Sequence, residues 1–285
     1  MNNAAQWQCR DRILDLGAPV VMGVVNVTPD SFSDGGRFAD RAAALAQARR
    51  LVAEGAGIID VGGESTRPGA RAAGLDEELE RVIPVIETLR RESAVFISVD
   101  TSKPEVMSAA VAAGADIIND VRALVEPGAL EAAAASGAGI CLMHMQGEPR
   151  TMQDAPHYTD VVEEVSAFLA ARMRACREAG VDAARLAIDP GFGFGKRIVD
   201  NLVLLKQLAS FEALGVPIAV GLSRKSMLAS LTGRNVDERL AGSIALAAIA
   251  VLHGARIVRA HDVGATVDAV RVAAAVIKGE QVDGT

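Results

Sequence analysis

Three polar residues lie at the ends of short apolar runs. Their side chains could form hydrogen bonds to the edge of a heterocyclic ring. Asp100 and Asp189 each follow such a run, and Asn119 closes another. An unpaired carboxylate is costly there, so each aspartate needs a partner. Two carboxylate oxygens accept parallel N–H bonds from a guanidine-like ring edge, such as a 2-amino-pyrimidinone, and an amide donates and accepts at once. The residues therefore predict a heterocycle site, with a salt bridge or helix cap as the alternative for each aspartate.

A second group of residues is suited to holding an anion. Arg259 and His261 alternate at the end of the last apolar run, so their side chains point the same way. Arginine offers a bidentate fork to phosphate or carboxylate oxygens. Lys225 follows the seventh run, and Ser226 stands at a helix start whose exposed N–H groups attract anions. A surface lysine and a simple helix cap are the alternatives for these two.

Asn26 is a candidate metal ligand of a limited kind. It follows the first apolar run and precedes a loop that holds Asp30, Asp34 and two glycines. An amide oxygen is adequate for a Mg²⁺ ion that keeps most of its waters and is held chiefly by phosphate oxygens. An asparagine in an ordinary turn is the alternative.

Other familiar site patterns are not met. Residues 191–195 read Gly-Phe-Gly-Phe-Gly, but the preceding proline and the aromatic residues do not match a dinucleotide loop. His144 and His157 lack a partner at metal-ligand spacing, so zinc is not expected. No Gly-x-Ser-x-Gly turn for a serine nucleophile occurs. NAD binding, zinc chemistry and hydrolysis by a serine elbow are therefore excluded.

Composition and charge narrow the class of protein. The chain has 285 residues, 50% hydrophobic and 3% aromatic, which suits a parallel sheet of aliphatic residues covered by helices. Its 29 basic and 36 acidic residues give a net charge of −7 without a basic block, which disfavours nucleic-acid and anionic-membrane partners. No secretory leader and no bilayer-length apolar stretch of ~20 residues is recognised. Three cysteines without metal-ligand spacing suggest reduced thiols, so a cytoplasmic protein is expected.

Eight short apolar runs alternate with stretches of helical period. Strands are predicted at residues 20–27, 57–61, 95–99, 116–118, 139–143, 185–188, 217–220 and 256–258. Helices are predicted at residues 39–54, 75–91, 104–113, 128–136, 160–179, 199–214, 240–252 and 266–278.

Such a repeat, with no linker, fits a single (β/α)8 TIM barrel better than two doubly wound domains. The barrel is assigned to residues 16–279, with a lead-in at 1–15 and a tail at 280–285. Active sites of this architecture lie at the C-terminal ends of the strands, where the polar residues gather. The long loops after strands one, two and five are candidate lids.

The strand-end motifs form an ordered set. They are Met-Gly-Val-Val-Asn-Val-Thr-Pro-Asp-Ser-Phe-Ser-Asp-Gly-Gly at 22–36, Gly-Glu-Ser-Thr-Arg-Pro-Gly at 63–69, Met-His-Met-Gln-Gly at 143–147, Asp-Pro-Gly-Phe-Gly-Phe-Gly-Lys at 189–196, Ser-Arg-Lys-Ser at 223–226 and Arg-Ala-His-Asp at 259–262. The set resembles the bacterial dihydropteroate synthases, over about residues 16–279. The resemblance implies a transferase of folate biosynthesis. Its reaction condenses 6-hydroxymethyl-7,8-dihydropterin diphosphate with p-aminobenzoate to give 7,8-dihydropteroate and pyrophosphate.

The resemblance also implies roles for individual residues. The pterin is expected to contact Asp100, Asn119, Met143, Asp189 and Lys225. The diphosphate is expected to contact Asn26, Thr66, Arg67, Arg259 and His261, with Mg²⁺ on Asn26. The p-aminobenzoate pocket is expected to contain Phe32, Thr66, Pro68, Phe194, Lys225 and Ser226. The catalytic set is expected to be Asn26, Asp34, Arg67, Lys225, Arg259 and His261.

The implied chemistry needs no strong base, because an aromatic amine is already neutral at pH 7. The barrier is cleavage of the C–O bond to diphosphate, and cations with Mg²⁺ stabilise the departing charge. In the family the reaction passes through a pterin-methyl cation, which closed loops would protect from water. The resemblance further implies a homodimer and inhibition by sulfonamides. A methyltetrahydrofolate-dependent methyltransferase and a non-catalytic pterin-binding homologue are the alternatives.

Overall fold

Eight parallel strands form the centre of the computed structural model, which describes residues 5–28, 36–64, 73–148 and 151–279, with side chains in the first helix from residue 40 onward. The strands are β3 (Val20–Asn26), β4 (Ile58–Gly62), β5 (Phe96–Asp100), β6 (Ile117–Asp120), β7 (Gly139–Met143), β8 (Leu186–Asp189), β9 (Ala219–Gly221) and β10 (Ile257–Ala260). Their order in the sheet is β8-β7-β6-β5-β4-β3-β10-β9. A parallel bridge between Ile188 and Ile218 joins the two edges, so the sheet closes into the predicted (β/α)8 barrel.

The helices of the described residues follow the strands around the outside. They are α1 (Gly36–Ala53), α2 (Leu75–Glu92), α3 (Pro104–Ala113), α4 (Ala129–Ser136), α5 (Val161–Glu178), α6 (Ile198–Lys206), α7 (Ser226–Thr232), α8 (Leu240–Leu252) and α9 (Val263–Lys278). Within the described part of the chain, no helix is both long and apolar enough to cross a bilayer.

The helices differ from the sequence-based expectation in two places. The helix predicted at 199–214 ends at Lys206, and Leu208–Leu214 continues as a 3-10 helix. The short helix α7 directly after β9 was not predicted, since its seven residues are too few to show a helical period.

The N-terminal residues form part of the barrel's core. Strands β1 (Gln6–Cys9) and β2 (Arg12–Asp15) pair as an antiparallel hairpin. Trp7 is fully buried, and its indole Nε1 donates to the backbone oxygen of Arg185 at 2.8 Å. Trp7 and Cys9 pack with interior strand residues such as Ile257. The segment regarded as a lead-in thus covers the amino-terminal end of the barrel.

Strand alternation sorts the side chains into an outer and an inner set. On β4, Ile59 and Val61 join the cluster that packs beneath the helices, whereas Ile58 joins the interior cluster around Trp7. The period of two therefore turns Asp60 inward above Ile58. By the same rule Arg259 lies above Ile257 on β10. The barrel interior is apolar at its amino-terminal end and polar at its carboxyl end.

Candidate active site

The strand register brings predicted site residues to one level of the barrel. Asn26 pairs with Gly62, Gly62 with Asp100, and Asp100 with Asn119. A side-chain carbon at Gly62 would lie 3.8 Å from the Asn26 amide oxygen and 3.7 Å from Asp100 Oδ2. The glycine therefore leaves space that both polar groups face. Met143 pairs with Asp189 on the opposite side of the barrel.

Arg259 lies between two carboxylates at the barrel mouth. Its Nε donates to Asp60 Oδ2 at 2.6 Å, and its Nη2 donates to Asp100 Oδ2 at 2.7 Å. Asn119 also donates to Asp60 Oδ2, at 3.2 Å. The sequence predicts that this guanidinium contacts a diphosphate. The structure shows in addition that it is held by the carboxylates of Asp60 and Asp100.

Burial raises the pKa of Asp100 and Asp189, the two aspartates predicted to bind the heterocyclic ring. It raises the pKa of Asp100 to about 7, with Arg259 opposing the rise and the nearby Asp60 adding to it. Burial also raises the pKa of Asp189, against the opposing effects of a Gly191 hydrogen bond and the Lys225 charge. Both carboxylates are thus short of stabilising partners, and a ligand that donates N–H bonds would supply them.

A tightly packed loop after β8 holds Asp189 in place. The backbone N–H of Gly191 donates to Asp189 Oδ1 at 2.7 Å. Gly191 has φ +72°, and a side chain there would meet the His144 carbonyl oxygen at 1.9 Å, so only glycine fits. The buried ammonium of Lys196 donates to the carbonyl oxygens of Gly191 and Phe194 at 2.9 and 3.1 Å. Lys196 thereby ties the aspartate to the aromatic part of the loop.

Lys225 and Phe194 form one side of the mouth. The Lys225 ammonium lies 4.2 Å from the centroid of the Phe194 ring, a cation–π contact. Burial lowers the pKa of Lys225 to about 8, although the Asp189 charge opposes the fall. Ser226 begins α7 beside them and is exposed. These contacts bring together the described residues of the predicted amine pocket.

A cleft of about 400 Å³ opens beside Lys225 and Ser226. Its other walls come from the loop after β7, residues 153–156, and from the residues at the start of α6. The cleft adjoins the mouth on the side of Gly193 and Lys225.

His261 is held by a serine of the loop after β9. The backbone N–H of His261 donates to Ser223 Oγ at 3.2 Å, and its ring Nδ1 lies 3.0 Å from the same oxygen. Burial, with the charges of Arg259 and Arg224, lowers the pKa of His261 to about 4. The imidazole is therefore neutral at pH 7 and meets an anion as a hydrogen-bonding group rather than as a cation.

The start of the loop after β4 is also anchored. Lys103 donates to Glu64 and to the fully buried Glu78, each at 2.5 Å. Arg81 donates to the Gly63 carbonyl oxygen at 2.8 Å. These bonds fix the strand end from which residues 65–72 continue.

The described structure brings most of the predicted residues into one site. Around the mouth it gathers Asn26, Asp100, Asn119, Met143, Asp189, Phe194, Lys225, Ser226, Arg259 and His261. Five predicted residues lie outside the described residues: Phe32, Asp34, Thr66, Arg67 and Pro68.

Sequence reasoning missed three residues that build the site: Asp60, Lys196 and Ser223. The signal for Asp60 was available, since it is an acidic residue inside the apolar run Ile-Ile-Asp-Val. Lys196 and Ser223 stand in the motifs at 189–196 and 223–226, but their contacts, Lys196 with His144 and Ser223 with His261, join separate loops, and one sequence does not contain that information. Within the described ranges, no group of three or more His, Cys, Asp or Glu side chains is placed to hold a metal ion.

Comparison with known proteins identifies the family. The pterin binding enzyme family model matches residues 22–261. Dihydropteroate synthase from Escherichia coli K12 is 52% identical over 268 residues, which cover 94% of this chain and 95% of the relative. The chain belongs to the dihydropteroate synthases.

Solved dihydropteroate synthases share the fold over nearly the whole chain. The Xanthomonas albilineans enzyme, solved with 4-aminobenzoic acid, has a TM-score of 0.91 at 55% identity and covers 96% of this chain and 98% of its own. The Yersinia pestis enzyme, solved with a sulfonamide drug complex, has a TM-score of 0.91 at 47% identity, with coverage of 96% and 99%. The predicted TIM barrel and the predicted family are confirmed.

Proposed function

We propose that this protein catalyses the dihydropteroate synthase reaction. It joins the amine of p-aminobenzoate to the methylene carbon of 6-hydroxymethyl-7,8-dihydropterin diphosphate, with release of pyrophosphate. The observation that carries the proposal is the pairing of buried, under-stabilised carboxylates, Asp100 and Asp189, with Arg259 and Lys225 at one barrel mouth. Family membership adds independent support.

The ring of the pterin would occupy the space between Asp189 and Asn119. A carboxylate accepts two N–H bonds from the 2-amino-pyrimidinone edge, and the amide can both donate and accept. Met143 is buried next to Asp189 and offers an apolar thioether to the ring face. Lys225 lies near Asp189 on the same side of the mouth, and its ammonium can donate an N–H bond to an acceptor atom of the ring.

The diphosphate would lie toward Asn26, Arg259 and His261. The neutral imidazole contributes a hydrogen bond, and the guanidinium contributes charge. The amide oxygen of Asn26 suits Mg²⁺ in kind, because the ion prefers oxygen ligands, but one protein oxygen suffices only together with phosphate oxygens and water. Bound there, Mg²⁺ would neutralise charge that develops on the leaving diphosphate.

The amine would approach from the side of Phe194, Lys225 and Ser226. The first N–H groups of α7 point away from the helix and attract a carboxylate. Phe32, Thr66 and Pro68 stay predictions for this pocket. The C–O bond breaks first, and the diphosphate leaves with the bonding electrons. The amine nitrogen then forms the C–N bond to the resulting pterin-methyl cation and releases its proton to water. No described group is needed as a base, since the amine attacks in its neutral form.

A homodimer and a cytoplasmic location are further parts of the proposal. Helices α8 and α9 pack on each other, yet Leu252, Val272 and Val276 are 50%, 66% and 66% exposed. Exposed aliphatic side chains on neighbouring helices favour a subunit interface.

The three cysteines are free and buried, as suits a reducing compartment. Sulfonamides, bound by the Yersinia relative, are proposed to compete for the amine pocket.

Pyrophosphate release tests the function. Purified protein is mixed with the pterin diphosphate and p-aminobenzoate, with Mg²⁺ or with excess EDTA. We expect pyrophosphate and dihydropteroate in equal amounts only when both substrates and Mg²⁺ are present. Release that is independent of p-aminobenzoate, or none at all, would refute the proposal.

A further inference from the structure

Asp60 is a fully buried carboxylate in the middle of β4. Its Oδ2 accepts hydrogen bonds from Arg259 Nε at 2.6 Å and from Asn119 Nδ2 at 3.2 Å. Its Oδ1 is buried too, and no described residue donates a hydrogen bond to it. Oδ2 of Asp60 thus bonds to two residues of the site, whereas Oδ1 has no hydrogen-bond donor among the described residues.

Stability alone does not account for an acidic residue at this position. A buried acceptor without a hydrogen-bond donor destabilises the folded state. Replacement of a buried ion pair by apolar residues of similar volume is often neutral or stabilising. The residue that faces inward directly below Asp60 in the strand, Ile58, belongs to an apolar cluster of the barrel interior.

Asp60 lies too deep to contact a substrate. It pairs in register with Val24, whereas the site level is set by Gly62, which pairs with Asn26 and Asp100. Asp60 is therefore one inward-facing position below that level. From there it reaches upward only through Arg259 and Asn119.

The direction of the two Arg259 bonds defines what Asp60 does. Asp100 binds the outer nitrogen Nη2, and Asp60 binds the inner nitrogen Nε, so the guanidinium plane is fixed at both ends. With Asp100 alone, the side chain could pivot about a single bond. We propose that Asp60 is a positioning residue of the reaction, which holds Arg259 in the orientation that meets the diphosphate and sets Asn119 by the same oxygen. The inference rests on the proposed function.

A double-mutant cycle tests this role. Asp60→Asn keeps the shape and removes the charge, and it is made alone and together with Arg259→Ala. We expect Asp60→Asn to lower kcat roughly 10- to 100-fold in the wild-type background and less than about 3-fold when Arg259 is absent, as for residues that act as a unit. The affinity for inorganic pyrophosphate, measured by calorimetry, should fall in parallel only in the wild-type background.

Asp116→Asn is the matched control. Asp116 is another buried aspartate with short arginine contacts, to Arg90 at 2.6 Å and Arg12 at 3.2 Å, but it lies at the amino-terminal end of the barrel. This variant should lower the melting temperature and leave kcat within about 2-fold of wild type, as expected for a change far from the reacting groups.

Three results would overturn the proposal: wild-type kcat in Asp60→Asn, equal losses in both backgrounds, or a loss of kcat that merely follows melting temperature. Failure of the proposed function is distinguishable, because the wild-type protein would then release no pyrophosphate at all.

Discussion

Arg259 Nη2 donates to Asp100 Oδ2 at 2.7 Å, so the arginine assigned to the diphosphate is bonded to an aspartate assigned to the pterin. The two sub-sites are therefore electrostatically linked. Asp100 is partly compensated by Arg259, and each of its other charged neighbours, Asp60, Glu78 and Asp120, raises its pKa. Binding of a ring that donates N–H bonds to Asp100 would stabilise its charged form, and Arg259, held by Asp100 and Asp60, would keep its orientation toward the leaving group.

The raised pKa of Asp100 predicts a pH-dependent stability. An unfolded aspartate titrates near ~3.9, and the folded group titrates at about 7. Below the lower value this group makes its full contribution to stability, which is then lost as the pH rises from about 4 to 7, at about 1.4 kcal/mol for each pKa unit. Asp100→Asn lacks this loss, so its melting temperature relative to wild type should rise between pH 5 and pH 8. A difference that stays constant over that range would contradict the assignment.

Asp189→Asn should weaken pterin binding severely. The amide replaces one acceptor by a donor and removes the charge from a buried site, a loss of roughly 2–5 kcal/mol for a broken buried pair. Calorimetry with a pterin that lacks the diphosphate measures it. Asp182→Asn is a suitable control, because Asp182 caps a 3-10 turn before the start of the same strand. Near-native pterin affinity in Asp189→Asn would refute the role.

Lys225 predicts an alkaline limit to activity. Its pKa is lowered to about 8, so the ammonium is lost as the pH passes that value. We expect kcat/KM for p-aminobenzoate to fall above about pH 8. Lys225→Arg stays charged and should move this fall to higher pH, even if its activity is lower overall. The same alkaline profile in both proteins would show that another group controls it.

Trp7→Ala should test the hairpin that closes the barrel. Loss of a fully buried tryptophan side chain costs about 3–5 kcal/mol of unfolding free energy. The melting temperature should fall by about 10 °C, while kcat measured well below it stays near wild type. Gln6→Ala, at an exposed position of the same strand, should change neither. A stable Trp7→Ala protein would mean that the hairpin is not part of the core.

The strand ends could be predicted because two simple patterns coincide there. An apolar run of β-branched residues indicates a parallel strand, and a polar residue that ends such a run lies at the C-terminal end of the barrel, where the active site is expected. Asp100, Asn119 and Asp189 were located in this way, and the register places Asp100 beside Asn119.

Other features depend on contacts that a single sequence does not state. The hairpin residues 6–15 alternate too briefly to distinguish a strand pair from a lead-in. Asp60 is hidden inside an apolar run, and its partner Arg259 is far away in the chain. The neutral state of His261 follows from burial and from two neighbouring arginines, which only the folded arrangement brings together.

In the proposed reaction the carboxylates bind the pterin ring, and the cationic side chains stabilise the departing diphosphate. The most direct test compares Arg259→Ala with Asp189→Asn in single-turnover experiments at increasing pterin diphosphate concentration. We predict that Arg259→Ala lowers the saturated rate by ~100-fold or more, as for a lost transition-state contact, whereas Asp189→Asn mainly raises the substrate concentration needed to saturate. The opposite pattern, or an unchanged saturated rate in Arg259→Ala, would contradict the account.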